Sequence, residues 1–354
     1  MVGKEACVMM KALAAGVPGQ AEWIDIEEPA LGPGEVLLRP LVCGICTTDV
    51  KLVRAGYAGG PRYALGHELV GEVVAVGEGT RWRVGDRVAA APYLPCGACF
   101  YCLHGQPTLC PHLFENSLVP GGLAERVRIP RPLAERGLFP LPEGLPVQIA
   151  ALAEPVGCCV QGVEDCGVAA GDMVLVVGDG PMGLLCAAVA RAYGAASTAV
   201  AGLTPHRLAV AREHYADAVI HVGEEDLRER VAQLTEGRGA DVVLVAVSSA
   251  EAVEAGLGAL RRGGVLNVFA GMPQGTTISL DLRQVHYGQV RITGSFGVGP
   301  VHVAQALRLL VSGRVDVAPL VTATFPFEDA PEAVAYAMER TGLKAVVIFE
   351  EGEG

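Results

Sequence analysis

Three things are scarce in this chain: positive charge, long polar tracts and long apolar runs. Against 39 acidic residues stand 27 basic ones, a formal net charge of −12. A nucleic-acid or anionic-membrane surface needs clustered Lys and Arg, so neither partner is expected. Charged residues make up 19% of the chain and are spread along it, which argues against disorder and low complexity. Mean hydropathy is positive, yet apolar stretches such as 174–177 and 184–190 are punctuated by Gly, Asp or Arg. They fall well under the roughly 20 residues that a spanning helix needs, so no membrane segment is expected. The apolar patch among Lys4, Glu5 and Lys11 is too short and too interrupted for a secretory signal. A cytoplasmic protein is expected.

What is present is a long, half-apolar chain rich in cysteine. Its 354 residues, 51% of them apolar, suggest two domains at roughly 150 residues each, and two domains invite a cleft between them. Eleven cysteines without a secretory signal point to metal sites or buried thiols rather than disulfides. Cys96, Cys99, Cys102 and Cys110 are spaced C-x2-C-x2-C-x7-C among Pro95, Gly97, Gly105 and Pro107, where turns let four thiolates converge on Zn²⁺. Four sulfurs close the coordination shell, so this zinc is expected to be structural, tying down a loop with little core of its own. Free loop thiols and an iron–sulfur cluster are the alternatives.

A sparser group comprises Cys46 in the run Cys43-Gly44-Ile45-Cys46-Thr47-Thr48-Asp49, the tripeptide Gly66-His67-Glu68, and Glu154 in Ala153-Glu154-Pro155. Singly, a Cys or His in an apolar run is more often a packed core residue. Together, one thiolate, one imidazole and one or two carboxylates can hold Zn²⁺ with a position left open, as a catalytic zinc requires.

The second half reads as strand, glycine turn and helix. A buried-strand run at 173–177 leads into Gly178-Asp179-Gly180-Pro181-Met182-Gly183, then into an apolar face at Met182, Leu185, Cys186 and Val189 with helical spacing. In that context G-x-G-x-x-G is the Rossmann fingerprint. Gly178 permits the tight turn, Gly180 lets the backbone approach a pyrophosphate, Gly183 permits close helix packing, and the helix N-terminus faces the phosphates. Strands at 218–222, 241–247 and 265–270 alternate with helices at 226–234 and 250–260. The pattern predicts a doubly wound sheet of six parallel strands ending at 290–295. Pro181, Met182, Val247, Ser295 and Phe296 complete the expected dinucleotide contacts. About 20 residues past the glycines, where an acid would accept from the adenosine ribose of NAD, stands Gly202. Its lack of charge would relieve repulsion of a 2′-phosphate, and Thr204, His206 and Arg207 are candidate donors to one. NADP is therefore favoured, with NAD, and a solvated helix start at His206 and Arg207, as the alternative.

Gly-Ile-Cys-Thr-Thr-Asp, Gly-His-Glu-Leu-Val-Gly-Glu-Val-Val, Val-Gly-Asp-Arg-Val and the four-cysteine lobe follow one another as in the zinc-containing medium-chain alcohol dehydrogenases, which the chain resembles over essentially its whole length. The resemblance implies a GroES-like, β-rich catalytic domain over 1–155 and 298–354, carrying the zinc lobe at about 92–112, and a Rossmann domain over 156–297. The strand 345–349 would rejoin the first domain. The resemblance further implies that Cys46 and His67 ligate the catalytic zinc and that Cys43 does not. Glu154 stands where the best-known alcohol dehydrogenases have a second Cys. With Glu68 it resembles the sorbitol and threonine dehydrogenase branches, in which either carboxylate can approach the metal, and both stay candidates. Thr48 is implied as the group that takes the substrate proton. Lys51 stands where a relay His often follows, so water is a candidate for the outer relay. Cys158 and Cys159 are expected to line core or cleft.

The expected activity is hydride transfer between a secondary alcohol and a nicotinamide dinucleotide, with two zinc ions per chain. The lobe sequence at 91–102, His286-Tyr287 and 292–297 resemble polyol and sugar-alcohol dehydrogenases, so a polyol is the first choice and L-threonine the second. A non-catalytic NADPH-binding or redox-sensing protein would be expected to have lost Cys46, Thr48, His67 or Glu154, and all are present. A zinc-free quinone reductase would lack the four-cysteine lobe. A homo-oligomer, dimer or tetramer, is expected.

Overall fold

The computed structural model describes residues 8–56 and 64–350; Lys4 and Glu5 of the apolar N-terminal patch lie outside the described residues. The chain divides into two compact units. Unit 1 comprises residues 1–154, 299–311 and 320–354, and unit 2 comprises 155–298 and 312–319. The segment 312–319 thus belongs with the nucleotide-fold unit, although its position in sequence suggests the other. The cause is local: the Arg314 guanidinium donates to the Ala192 carbonyl, and Val315 and Val317 are buried. Among the described residues no helix is long and apolar enough to cross a membrane.

Unit 1 is built on a sheet whose strands lie in the order Val321–Pro326, Lys344–Ile348, Val36–Gly44, Glu68–Val76, Arg87–Ala90 and Leu138–Pro140, with Val127–Ile129 also paired to Val36–Gly44. The strand Val36–Gly44 is buried on both faces, as its run of Val and Leu dictates. Pro40 cannot donate to a ladder, and it sits at a register shift between Pro40 and Val42, where such a residue is tolerated. The late strand Lys344–Ile348 pairs antiparallel with the end of Val36–Gly44, Val346 opposite Gly44. It therefore rejoins the first unit, and Lys344 is brought to the end of the strand that leads into Cys46.

In unit 2 a sheet of six parallel strands runs in the order Ala218–His221, Ser197–Gly202, Met173–Val177, Ala240–Val245, Leu260–Val268 and Arg291–Gly294. The central strand Met173–Val177 is buried at every residue, as a sheet covered on both faces requires. Leu175, Val177, Ala201, Val243, Val245 and Leu266 share one apolar cluster. The helix Leu227–Leu234 is capped by Asp226, whose side chain accepts from the Glu229 N–H, and Ala250–Ala259 by Ser249 in the same way with Ala252.

Candidate active site and metal centres

Local sequence brings the first cluster together. Cys46 is the N-cap of the helix Thr47–Ala55, and the Asp49 carboxylate reaches back to the Cys46 N–H at 2.8 Å, closing a capping box. The other oxygen of Asp49 accepts from the Gly66 N–H at 2.9 Å and lies 3.8 Å from His67 Nδ1. Asp49 is 1% exposed, so one buried carboxylate fixes the two chain segments that carry Cys46 and His67. The ligand atoms of Cys46, His67 and Glu68 all lie within 4.8 Å of one another.

Glu68 is fully buried and pairs through Oε1 with Lys344 Nζ, which also donates to the Ile45 carbonyl at 2.9 Å. Its Oε2 is buried without a hydrogen-bond partner, and a Cβ at Gly44 would stand 2.0 Å from that oxygen; glycine makes room for it. Burial pulls the Lys344 ammonium toward neutrality, but Glu68, Cys46 and Glu154 outweigh it and keep the lysine charged. Burial likewise favours neutral His67, and the Cys46 thiolate, Asp49 and Glu154 outweigh it, holding the imidazole well above its ordinary range. Three carboxylates, Asp49, Glu68 and Glu154, with the Cys46 sulfur beside them, face one ammonium and one raised imidazole, which leaves the site short of positive charge. With an orphaned carboxylate oxygen in reach, that donor set fits a divalent zinc ion.

Glu154, 7% exposed, lies near enough to act electrostatically on both His67 and Lys344, but it is outside the close group of three. Cys43 is fully buried, and burial with Asp49 and Glu68 pushes its thiol well up, which keeps it protonated. Thr48, the second residue of its helix, and Lys51 are exposed.

The lobe gathers Cys96, Cys99, Cys102 and Cys110 with all four sulfurs within 4.8 Å. Backbone N–H groups of Ala98 and Cys99 point at Cys96 Sγ (3.5 and 3.3 Å), and that of Cys96 points at Cys110 Sγ (3.4 Å). The Ala98 and Cys99 groups pull the Cys96 thiol down to about 6. Such donors stabilise thiolate, the form a zinc ligand takes. Phe100 and Leu103 are 66% and 72% exposed, so apolar packing contributes little at this turn of the lobe, and a four-thiolate zinc fits the need.

In unit 2 the glycine turn follows the strand Met173–Val177. Gly178 has φ 127°, and a Cβ at Gly183 would meet the Gly178 carbonyl at 1.9 Å, whereas one at Gly180 would meet nothing within 4 Å. Packing thus requires glycine at 183, while 180 opens on free space where a pyrophosphate can approach. Pro181 and Met182 open the helix Pro181–Ala192. Thr204 stands at the N-cap position of the helix Pro205–Val210 without a side-chain cap bond, and in that helix His206 is exposed and Arg207 is 9% exposed. Val247 and Phe296 are exposed. The Ser295 hydroxyl accepts from Asn267 Nδ2 at 2.8 Å and donates to Asp165 at 2.6 Å. Cys159 is buried 3.5 Å from Cys186, and Cys158 is half-buried.

Three site residues escaped the sequence reading: Asp49, Lys344 and Asp179. The first had a signal, an acid three residues after Cys46 in a helix start. The second had a fainter one, a lone Lys opening an apolar strand. The third is the x of G-x-G; its carboxylate accepts from the Leu203 and Thr204 N–H groups at 3.0 and 2.7 Å.

Comparison with known proteins agrees with this architecture. The alcohol dehydrogenase GroES-like domain matches residues 32–143, and the zinc-binding dehydrogenase domain matches 181–312. Sorbitol dehydrogenase of Bacillus subtilis is 30% identical over 318 residues, 88% of each chain. L-threonine 3-dehydrogenase of Pyrococcus horikoshii is 32% identical over 96% of this chain and 98% of that one. A zinc-binding-dehydrogenase candidate from Sinorhizobium meliloti, solved with NADP bound, superposes with a TM-score of 0.87 at 28% identity, covering 96% of this chain and 99% of its own. The chain belongs to the zinc-containing medium-chain alcohol dehydrogenase family. It is an oxidoreductase of that family, with a GroES-like unit and a Rossmann-type unit.

Proposed function

We propose that this enzyme oxidises a secondary alcohol group of a polyol or sugar alcohol, passing the hydride to the nicotinamide of NAD or NADP. The observation that carries the reading is the convergence of Cys46, His67 and Glu68 within 4.8 Å in a family of zinc-dependent dehydrogenases. Cys46, His67 and a glutamate would hold the catalytic zinc. Glu68 is favoured because its ligand atom already belongs to the close group and its Oε2 is unsatisfied. Glu154 then adds negative charge from beside the site. Zinc, when bound, supplies the positive charge that makes an alcohol's hydroxyl proton easier to lose at neutral pH.

The protein's own groups do the rest. Asp49 holds the Cys46 and Gly66 backbones and so orients thiolate and imidazole. Thr48 accepts the substrate's hydroxyl proton and hands it to water. The turn from Gly178 to Gly183 grips the pyrophosphate, with Val247, Ser295 and Phe296 near the rest of the dinucleotide. Cys96, Cys99, Cys102 and Cys110 hold a second, structural zinc. The described cysteines are all free thiols, which supports a reducing cytoplasmic setting. The exposed edge strand Arg291–Gly294 supports a homo-oligomer.

The polyol reading follows the sorbitol dehydrogenase relative; the threonine dehydrogenase relative makes L-threonine the necessary control. The test is to offer the zinc-loaded enzyme polyols, simple secondary alcohols and L-threonine, each with NAD⁺ and NADP⁺, and to follow nicotinamide absorbance. Polyol oxidation that a chelator abolishes and zinc restores supports the proposal. Turnover of threonine alone replaces the substrate, and a silent panel contradicts the activity.

A further inference from the structure

The coenzyme choice can be read from unit 2, granted that its glycine turn binds a nicotinamide dinucleotide. In folds of this kind an acid at the end of the second strand accepts a hydrogen bond from the adenosine ribose of NAD. Here that strand ends at Gly202, yet the ground a side chain would occupy is filled. A Cβ built on Gly202 falls 2.4 Å from both Cβ and Oδ2 of Asp179. Asp179 belongs to the neighbouring turn, and its Oδ2 accepts from the N–H groups of Leu203 and Thr204, the two residues that follow the strand. Its Oδ1 has no hydrogen bond among the described residues. A carboxylate therefore stands at the strand end after all, delivered from the side.

We infer that Asp179 selects the coenzyme, accepting from the ribose 2′-hydroxyl of NAD and repelling the 2′-phosphate of NADP. Two further observations agree. The backbone donors next to the strand end, which would be natural partners for a phosphate, are already taken by the carboxylate. Arg207, the nearest cation in sequence, is only 9% exposed. Gly202 and Asp179 are a matched pair: the strand-end residue must lack a side chain for the turn residue to supply the acid, and two acids cannot both fit. The preference for NADP drawn from Gly202 presumes an uncharged strand end, which Asp179 removes.

The test compares NADH and NADPH binding by nicotinamide fluorescence on the zinc-loaded full-length protein, with kcat/KM for both coenzymes where a substrate turns over. The wild type is expected to prefer the unphosphorylated coenzyme. Asp179→Asn keeps an acceptor for the two N–H groups and removes the charge, so it should cut that preference by about 10- to 100-fold. The double variant Asp179→Gly with Gly202→Asp returns the acid to the strand and should keep the preference. A purely structural Asp179 would weaken both coenzymes alike and leave the ratio unmoved, which overturns the assignment. So does a wild type that binds NADPH more tightly. Should Asp179→Asn fail to fold, competition on the wild type decides. Adenosine 5′-monophosphate should displace NADH better than adenosine 2′,5′-bisphosphate, and the reverse order refutes the role. Binding of neither dinucleotide overturns the nicotinamide reading itself, a result distinct from binding with the wrong preference.

Discussion

Replacing Lys344 by Met tests whether the buried pair with Glu68 is as tightly coupled as its surroundings imply. Met is similar in length and flexible enough to fill the same space, so the main loss is the ammonium. Glu68 is 0% and Lys344 6% exposed, and among the described residues the only other bond of Nζ runs to the Ile45 carbonyl. Removing one partner of such a pair strands a buried charge, at a cost of about 3–5 kcal/mol. Glu68→Gln leaves a neutral acceptor near Nζ and should cost less, about 1–2 kcal/mol. The double variant should cost well under the sum of the singles, a coupling of about 2 kcal/mol or more. The assay is urea denaturation with the catalytic zinc removed, so that no ion compensates the stranded carboxylate, fitted for the transition of unit 1, since two units need not unfold together. A Lys344→Met cost below about 1 kcal/mol, or additive singles, would refute the pairing argument. With Lys344 gone, the freed Glu68 should also hold zinc more tightly, seen as slower extraction by a chelator.

Other expectations follow from single atoms. Gly183→Ala should destabilise unit 2 by about 1–3 kcal/mol, because its Cβ would meet the Gly178 carbonyl at 1.9 Å. Gly180→Ala should leave stability within about 0.5 kcal/mol yet weaken dinucleotide binding in a fluorescence titration; equal stability losses would count against the packing argument. Cys99→Ser should remove one zinc and expose the lobe to proteolysis, detected by metal analysis and limited digestion, and full metal content would contradict the four-thiolate site. Asp241 offers a pH test. Burial alone would raise its carboxyl, but the Met173 N–H, Arg261 and Arg238 outweigh it and hold it below its ordinary 3.8. A folded pKa below the unfolded one adds stability that is present above about 4 and is lost as pH falls through the folded value. Asp241→Asn should therefore cost about 1 kcal/mol at neutral pH, discounted for solvent screening, and flatten the acid limb of a stability profile. An unchanged urea midpoint at neutral pH would oppose this.

Legibility in the sequence tracks the range of the interaction. The glycine turn and the Cys96–Cys110 lobe are read from neighbours, because the tight turn and the four-thiolate chelate form within short stretches. The strands and helices of unit 2 also emerge, since burial on both faces writes continuous apolar runs. Boundaries are less clear where pairing overrides propensity. The strand expected at 265–270 runs Leu260–Val268, because Leu260 pairs with Ala240 across a register shift that absorbs the Gly263-Gly264 turn signal. The Lys344–Glu68 pair spans 276 residues, and nothing near either residue announces the other. Asp179 is subtler. The sequence shows that its neighbour Gly202 lacks a side chain, but only the fold shows what takes that space.

The most direct test of the account is metal content and activity of Cys46→Ser beside the wild type, measured on the same zinc-loaded preparations. Two clusters of ligand atoms lead us to expect two zinc ions per chain in the wild type. The variant should keep the ion of the cysteine lobe, lose the other, remain folded with the dinucleotide still bound, and transfer no hydride. A Cys46→Ser enzyme that holds both ions and still oxidises the wild-type substrate would contradict the claim that Cys46, His67 and Glu68 form the catalytic centre.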